Sequence, residues 1–296
     1  MKRNLTVIII AVATCLSAWS QLLWKVEGNG LSKPSYLMGT HHFAPASFID
    51  SIAGLCDAIN NCDAVYGEMH RDAMTSMESQ QKLAMALIAP QDSTLDVVLN
   101  PEQYAVVGKV ANSYLAPMGV SLDMLKQLKP QGINIQLQAL QAKKFLKDFD
   151  PNNLIDTGLQ TRGANAGKQL GGFETVDDQI EALFSSTLKE QADALVEMCE
   201  HDAEFNEVCE KLVNAYFNQD LDYMLKQFTN PDAGSTPTEK ELETLLWGRN
   251  RRWAEKLAVL MPEQSILVCV GAGHLPGDKG LVALLRNAGY TVTPCK

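Results

Sequence analysis

The sequence predicts an α/β protein: a central mixed sheet flanked by helices, with a large helical insert, in a single domain. Three observations carry this expectation. Short apolar runs alternate with longer stretches of helical period over residues 21–296. No linker divides the chain, since its one Pro/Gly/Ser-rich stretch, residues 230–238, has only the length of an inter-helix loop. A hydrophobic content of 46% is ample for one large buried core.

Lys2 and Arg3, the apolar stretch 5–16 and then Ala18, Trp19 and Ser20 have the layout of a cleavable signal peptide. Residues 1–20 are therefore read as a signal and 21–296 as the exported protein, periplasmic or secreted. The apolar stretch is shorter than the roughly 20 residues of a membrane-spanning helix, and no later segment is long and apolar enough to span. Lipid attachment at Cys15 is the lesser expectation, because Thr14 and Val12 match the lipoprotein pattern poorly.

Residues 22–26 and 35–39 flank the turn-forming Gly28, Asn29 and Gly30, which predicts a hairpin whose second strand runs straight into Thr40, His41 and His42. A helix is expected over 48–60, then a short buried strand over 63–69 with Glu68 at its carboxyl end. Residues 71–149 read as helical, punctuated at Pro90, Pro101, Pro117 and Pro130, and form the expected insert. A helix over 156–166 leads to a strand over 169–173 that ends at Glu174. A helical block covers 177–228, and Pro237 is expected in the first turn of a helix reaching residue 260. On that helix Leu245, Arg249, Trp253 and Leu257 share one face, which places a guanidinium in an apolar stripe. A strand over 265–270 delivers Gly271, Ala272, Gly273 and His274, and a helix over 280–288 and a strand over 290–293 finish the chain.

The net charge of −10 is spread along the chain without a basic stripe, so nucleic acid is not an expected partner. Cys56, Cys62, Cys199, Cys209, Cys269 and Cys295 form an even set after Gln21. In an oxidising compartment this is compatible with pairs 56–62, 199–209 and 269–295, and equally with free buried thiols.

His42, Glu68, Glu174 and His274 each follow or end an expected strand. Ligands of α/β sheets bind beyond the carboxyl ends of the strands, so four such residues converge on one crevice if the strands are parallel. A glycine three positions before each histidine lets the chain turn sharply and approach a ligand. Two neutral imidazoles and a carboxylate, here His42, His274 and Glu68, make a common first-row metal set with positions left for water and substrate. His41 is the alternative ligand or a donor orienting His42. Glu174 or Glu68 is the candidate general base. Arg249 either snorkels out of its apolar stripe or pairs a buried carboxylate such as Glu174, or else stabilises a developing oxyanion. His70, His201, Arg251 and Arg252 read as ordinary surface residues, and Trp253 as core.

Tyr36-Leu-Met-Gly-Thr-His-His42, Tyr66-Gly-Glu68, Gly167-Lys-Gln-Leu-Gly-Gly-Phe-Glu-Thr175, Arg249-Asn250 and Val270-Gly-Ala-Gly-His-Leu-Pro-Gly277, followed by the segment 280–290, resemble the TraB/GumN family. That family is grouped with the Tiki proteins, membrane-tethered metalloproteases acting on Wnt ligands, and more distantly with erythromycin esterase-like and ChaN-like proteins. The resemblance implies an α/β fold with paired Gly-x-x-His motifs, matched here by His42 and His274, with Glu68 as the acidic residue and Arg249-Asn250 as the Arg-Asn element. It implies a divalent ion, manganese or cobalt, with zinc also suited to the donor set, and a peptide or protein substrate. The expectation is thus an exported metal-dependent hydrolase, a peptidase before an esterase. A metal-independent esterase-like hydrolase and a non-catalytic haem- or metal-binding protein are the alternatives. The sequence departs from the family pattern in having histidine at position 41, which leaves the ligand choice open. It shows no C-terminal membrane segment, so neither Tiki-like tethering nor Wnt as substrate carries over.

Overall fold

In a computed structural model, residues 21–229 and 237–295 are described; the expected signal peptide, and most of the 230–238 loop, lie outside them. The strands are β1 (Leu23–Glu27), β2 (Ser35–Thr40), β3 (Ala64–Met69), β4 (Gln169–Glu174), β5 (Ile266–Gly271) and β6 (Thr291–Pro294). They form one mixed sheet in the order β4-β3-β5-β2-β1-β6. The hairpin is present, with Leu23 opposite Met38 and Val26 opposite Ser35. β2, β3, β4 and β5 run parallel to one another, while β1 is antiparallel to both β2 and β6. The carboxyl ends of four parallel strands therefore lie along one edge, as the motif placement required.

The helices are α1 (Leu55–Asn61), α2 (Arg71–Thr75), α3 (Met77–Leu87), α4 (Leu95–Val98), α5 (Pro101–Leu115), α6 (Leu122–Leu125), α7 (Pro130–Phe145), α8 (Ile155–Asn165), α9 (Val176–Phe184), α10 (Leu188–Glu200), α11 (Asp202–Phe217), α12 (Leu221–Thr229), α13 (Glu239–Leu242), α14 (Gly248–Leu260) and α15 (Leu281–Asn287). Pro101 and Pro130 each open a helix at its first turn, where no N–H is needed. The expected helix over 48–60 is instead a 3₁₀ turn, Ala46–Ser51, and the separate α1. Gly54 stands between them at φ +76°, a conformation no helix interior holds. Pro237 likewise falls outside its helix, because Thr238 takes the N-cap and closes a capping box with Glu241. A π segment, Glu243–Trp247, joins α13 to α14, so the long helix is wound loosely just before Arg249.

The main core lies on the sheet, where Leu37, Met38, Val65, Leu267, Val268 and Val270 are buried among Leu159, Trp253, Leu257 and Leu285 of the covering helices. α8 sits very close to β3: a Cβ added at Gly163 would stand 2.6 Å from Val65 Cγ2. The insert is not 71–149 alone. Leu95, Val107, Ile133 and Leu137 share a second core with Ala192, Leu195, Met198 and Cys199, so α10 completes a helical layer begun by α4, α5 and α7. All six described cysteines are free, so the conceivable disulfides do not form. Among the described residues no helix is long and apolar enough to cross a membrane.

Candidate active site

Arg249 is the hub of the site. Its Nε and Nη2 donate to both oxygens of Glu174, at 2.9 and 2.7 Å, and Nη2 also donates to Glu68 Oε2 at 2.6 Å. Nη1 reaches His274 Nε2 at 3.2 Å and the carbonyl of Leu245 at 2.9 Å. The side chains of Arg249, Glu68 and Glu174 are 7%, 11% and 3% exposed, so two carboxylates share one guanidinium in a nearly dry setting. Such an arrangement persists only if the remaining lone pairs are also met. They are: Glu174 accepts from Trp253 Nε1 at 3.0 Å and Gln179 Nε2 at 2.7 Å, and Glu68 accepts from Gln179 Nε2 at 3.2 Å and the Gly271 N–H at 2.8 Å. No buried side-chain nitrogen or oxygen among the described residues lacks a partner.

Both motif histidines are steered through Nδ1. His274 Nδ1 lies 2.6 Å from Asn250 Oδ1 and its ring packs 4.4 Å from Trp253, centroid to centroid. Because an amide oxygen only accepts, Nδ1 carries the proton and Nε2 presents its lone pair to Arg249. His42 Nδ1 lies 3.1 Å from Asp156 Oδ2, and Thr40 donates to the other oxygen of Asp156 at 2.6 Å. The second imidazole thus turns its Nε2 inward. Around Gly271 the three groups meet: a Cβ built there would stand 3.3 Å from Glu68 Oε1, 3.5 Å from His274 Cδ2 and 3.6 Å from His42 Nε2. The glycine keeps this space open.

Electrostatics separate the two imidazoles. The Asp156 carboxylate raises the pKa of His42 to about 9, against partial desolvation, with the charge of Glu68 adding to the effect. His42 stands at the cleft mouth with 62% of its side chain exposed, so solvent screens this pair more than the pairs behind it. Burial lowers His274 to about 3, outweighing the nearby Glu68, and so keeps it neutral. Burial works to raise Glu68, but its interactions with the neighbouring His274 and His42 rings, the Arg249 guanidinium and the Gly271 N–H hold it well below the usual carboxylate range.

A cleft of about 330 Å³ opens onto this cluster, lined by His42, Phe43, Glu68, Met74, Asp156 and Gln179 among others. His41 does not line it: its ring packs on Tyr216 at 5.3 Å and its Nδ1 accepts from the Phe43 N–H at 3.2 Å, while burial and the charge of His42 lower its pKa to about 4. His70 caps α2 by accepting from the Asp72 N–H, away from the cluster. Arg251 pairs with the exposed Glu243, and Arg252 is 58% exposed with its tip 4.0 Å from Glu174. Trp253 is core and also a hydrogen-bond donor to Glu174. Sequence reasoning missed Asp156 and Gln179. Asp156 had only its place in the first turn of α8 to mark it, and Gln179 only its nearness to Glu174.

The donor set suits a divalent ion in kind: two imidazoles with Nδ1 anchored on oxygen, as metal-binding histidines have, and one ionised carboxylate. Yet among the described residues no group of three or more His, Cys, Asp or Glu stands ready spaced to hold a metal. The physical reason is Arg249, whose guanidinium already engages the inner faces of His274 and Glu68.

Two curated relatives are metalloproteases by name. Metalloprotease TIKI2 of Danio rerio is 22% identical, over 92% of this chain and 60% of its own length. The metalloprotease TIKI homolog of Amphimedon queenslandica is also 22% identical, over 91% of this chain and 60% of its own length. The chain therefore spans about three fifths of the length of these relatives. No solved structure matches. The TraB/PrgY/gumN family pattern matches residues 22–294, which takes in every strand and every residue of the Arg249 cluster, and the chain belongs to that family.

Proposed function

We propose that this protein is an exported metal-dependent hydrolase that cleaves peptide bonds. The observation that carries the reading is the convergence of His42 Nε2, His274 and Glu68 Oε1 around Gly271, each oriented by a partner outside the cluster. The kinship with metalloproteases supports it. His42, Glu68 and His274 are the residues that would hold the ion, manganese, cobalt or zinc, which would polarise a carbonyl and lower the pKa of a water. The protein's own groups do the rest. Glu68, the carboxylate that lines the cleft, is the base where it does not bind the ion; Glu174, whose oxygens are taken by Arg249, Trp253 and Gln179, holds Arg249 in place, and Arg249 can meet a developing oxyanion only with an N–H that it releases from His274 or Leu245. Asp156 fixes the ring of His42, and Asn250 fixes that of His274. An ion held at His42 would have to displace the proton that the Asp156 carboxylate favours there.

The test is hydrolysis of a mixed peptide library by the protein lacking residues 1–20, with and without chelator, beside His274→Ala. Cleavage that stops with chelator and is absent from the variant is expected; a variant as active as the parent would remove the proposal. One observation favours a second reading, a metal-independent hydrolase: the His42–Asp156 pair is itself a carboxylate-oriented imidazole facing the cleft. Cleavage unaffected by chelator would establish it instead.

A further inference from the structure

A second open cleft, of about 850 Å³, adjoins the first, and Thr157 of α8 lines both. Its chemistry is different. The first is walled by Phe43, Met74 and Leu154 around the acidic and basic cluster. The second is lined by hydrogen-bonding neutral side chains such as Gln80, Asn152, Asn153 and Thr161 and by two arginines, Arg71 and Arg162, with no carboxylate in its wall. In a chain of net charge −10, a cavity whose charged lining residues are both arginines is suited to an anion. Arg162 is satisfied, since it forks onto both oxygens of Asp50. Arg71 is not. Its Nε reaches the neighbouring Asp72 at 3.3 Å, and neither Nη has a hydrogen-bond partner among the described residues.

Arg71 is also placed with care. Gln160 accepts from its N–H at 2.9 Å and donates to the carbonyl of Met69 at 2.9 Å, so one side chain of α8 pins the backbone that links β3 to α2. Glu68 lies just before that pinned stretch and Arg71 just after it. The active-site carboxylate, which lines the first cleft, and the Arg71 guanidinium, which lines the second with its Nε on Asp72 and its Nη edge free among the described residues, are thus held in fixed relation.

We propose that the second cleft is the acidic subsite of the same enzyme: it receives a carboxylate side chain of the substrate peptide, and Arg71 binds that carboxylate while the neighbouring apolar residues of the peptide occupy the cleft at His42. This rests on the hydrolase reading for the word substrate, but the binding it describes is separable from cleavage. The Nη edge of the Arg71 guanidinium, left over from its Nε contact with Asp72, matches a carboxylate and is not matched by an amide. One partly exposed charge-assisted pair of this kind gives about a tenfold preference.

The probe is a pair of fluorescein-labelled octapeptides with an apolar central dipeptide, flanked on both sides by glutamate in one and glutamine in the other. Affinity is read by fluorescence anisotropy, and cleavage is followed on the same samples by mass spectrometry. Wild type should bind the glutamate peptide about tenfold more tightly than its glutamine counterpart. Arg71→Gln should lose that preference while keeping its affinity for the glutamine peptide. Asp72→Asn, which removes the competing carboxylate, should strengthen it. Equal affinity for the two peptides, binding of neither, or an undiminished preference in Arg71→Gln would overturn the subsite. If neither peptide is cleaved but the preference and its loss are seen, the subsite stands and the hydrolase reading is what fails.

Discussion

Removing the guanidinium of Arg249 should leave two carboxylates in a nearly dry pocket without their shared counter-charge. In Arg249→Met the volume is roughly kept, but Glu174 loses two charged donors and Glu68 one. Breaking a buried pair by deleting one partner costs about 3–5 kcal/mol. The lower end applies here, about 3 kcal/mol, because Gln179, Trp253 Nε1 and the Gly271 N–H still serve the two acids. Urea unfolding of the chelator-treated protein measures it, with Arg251→Met as the control, since that arginine pairs at the surface and its loss should leave the midpoint where it was. The pH dependence has a defined sign. Glu68 is held below its unfolded pKa, so its contribution in the wild type is present above the unfolded value and is lost as pH falls through the folded one. The variant lacks one of the groups that hold it there, beside His42, His274 and the Gly271 N–H, so the stability gap between the two proteins should be widest near neutrality and narrow in acid. A gap no larger than that of Arg251→Met, or one that does not change with pH, would refute the view that Arg249 is the electrostatic hub.

Asp156→Asn should bring the His42 ring titration, followed by NMR in metal-free protein, down from about 9 toward the ordinary histidine range. Because His42 is raised in the folded state, the stability it contributes is fully present below its unfolded pKa of 6.5 and fades as pH rises through about 9, and the Asn variant should lack that fade. Gly271→Ala places a methyl 3.3 Å from Glu68 Oε1 and 3.6 Å from His42 Nε2, and should abolish hydrolysis while circular dichroism stays unchanged. Gly163→Ala, far from the chemistry, forces α8 off β3 and should cost about 1–3 kcal/mol in urea unfolding. Thiol titration of the unfolded, unreduced protein lacking residues 1–20 should find all six cysteines free, and reductant should leave its melting temperature unchanged.

Where local chemistry decided the structure, the sequence was legible. The six strands fall within a residue of their expected places because alternation and turn residues bracket each; that β2, β3, β4 and β5 run parallel was a condition of the reading, met by the helical crossovers between them. A charge in an apolar stripe marked Arg249 as a residue in need of a partner, and of the readings this left open the structure shows the pairing with Glu174. What was not legible depended on distant contacts. The break at Gly54 is a backbone choice that the periodicity of its neighbours hides. That α10 packs on α5 and α7 is a matter of tertiary assembly, with nothing in either segment naming the other. Asp156 and Gln179 are polar residues on helices like many others until the sheet edge brings Thr40, His42 and Glu174 to them.

The central claim is that His42, Glu68 and His274 hold one divalent ion, and titration calorimetry with manganese, cobalt and zinc, beside elemental analysis of the purified protein lacking residues 1–20, tests it most directly. The account predicts one ion per chain, bound more tightly as pH rises because His42 must release its proton, and lost in both His42→Ala and His274→Ala. No binding by the wild type, or binding that survives both substitutions, would contradict it.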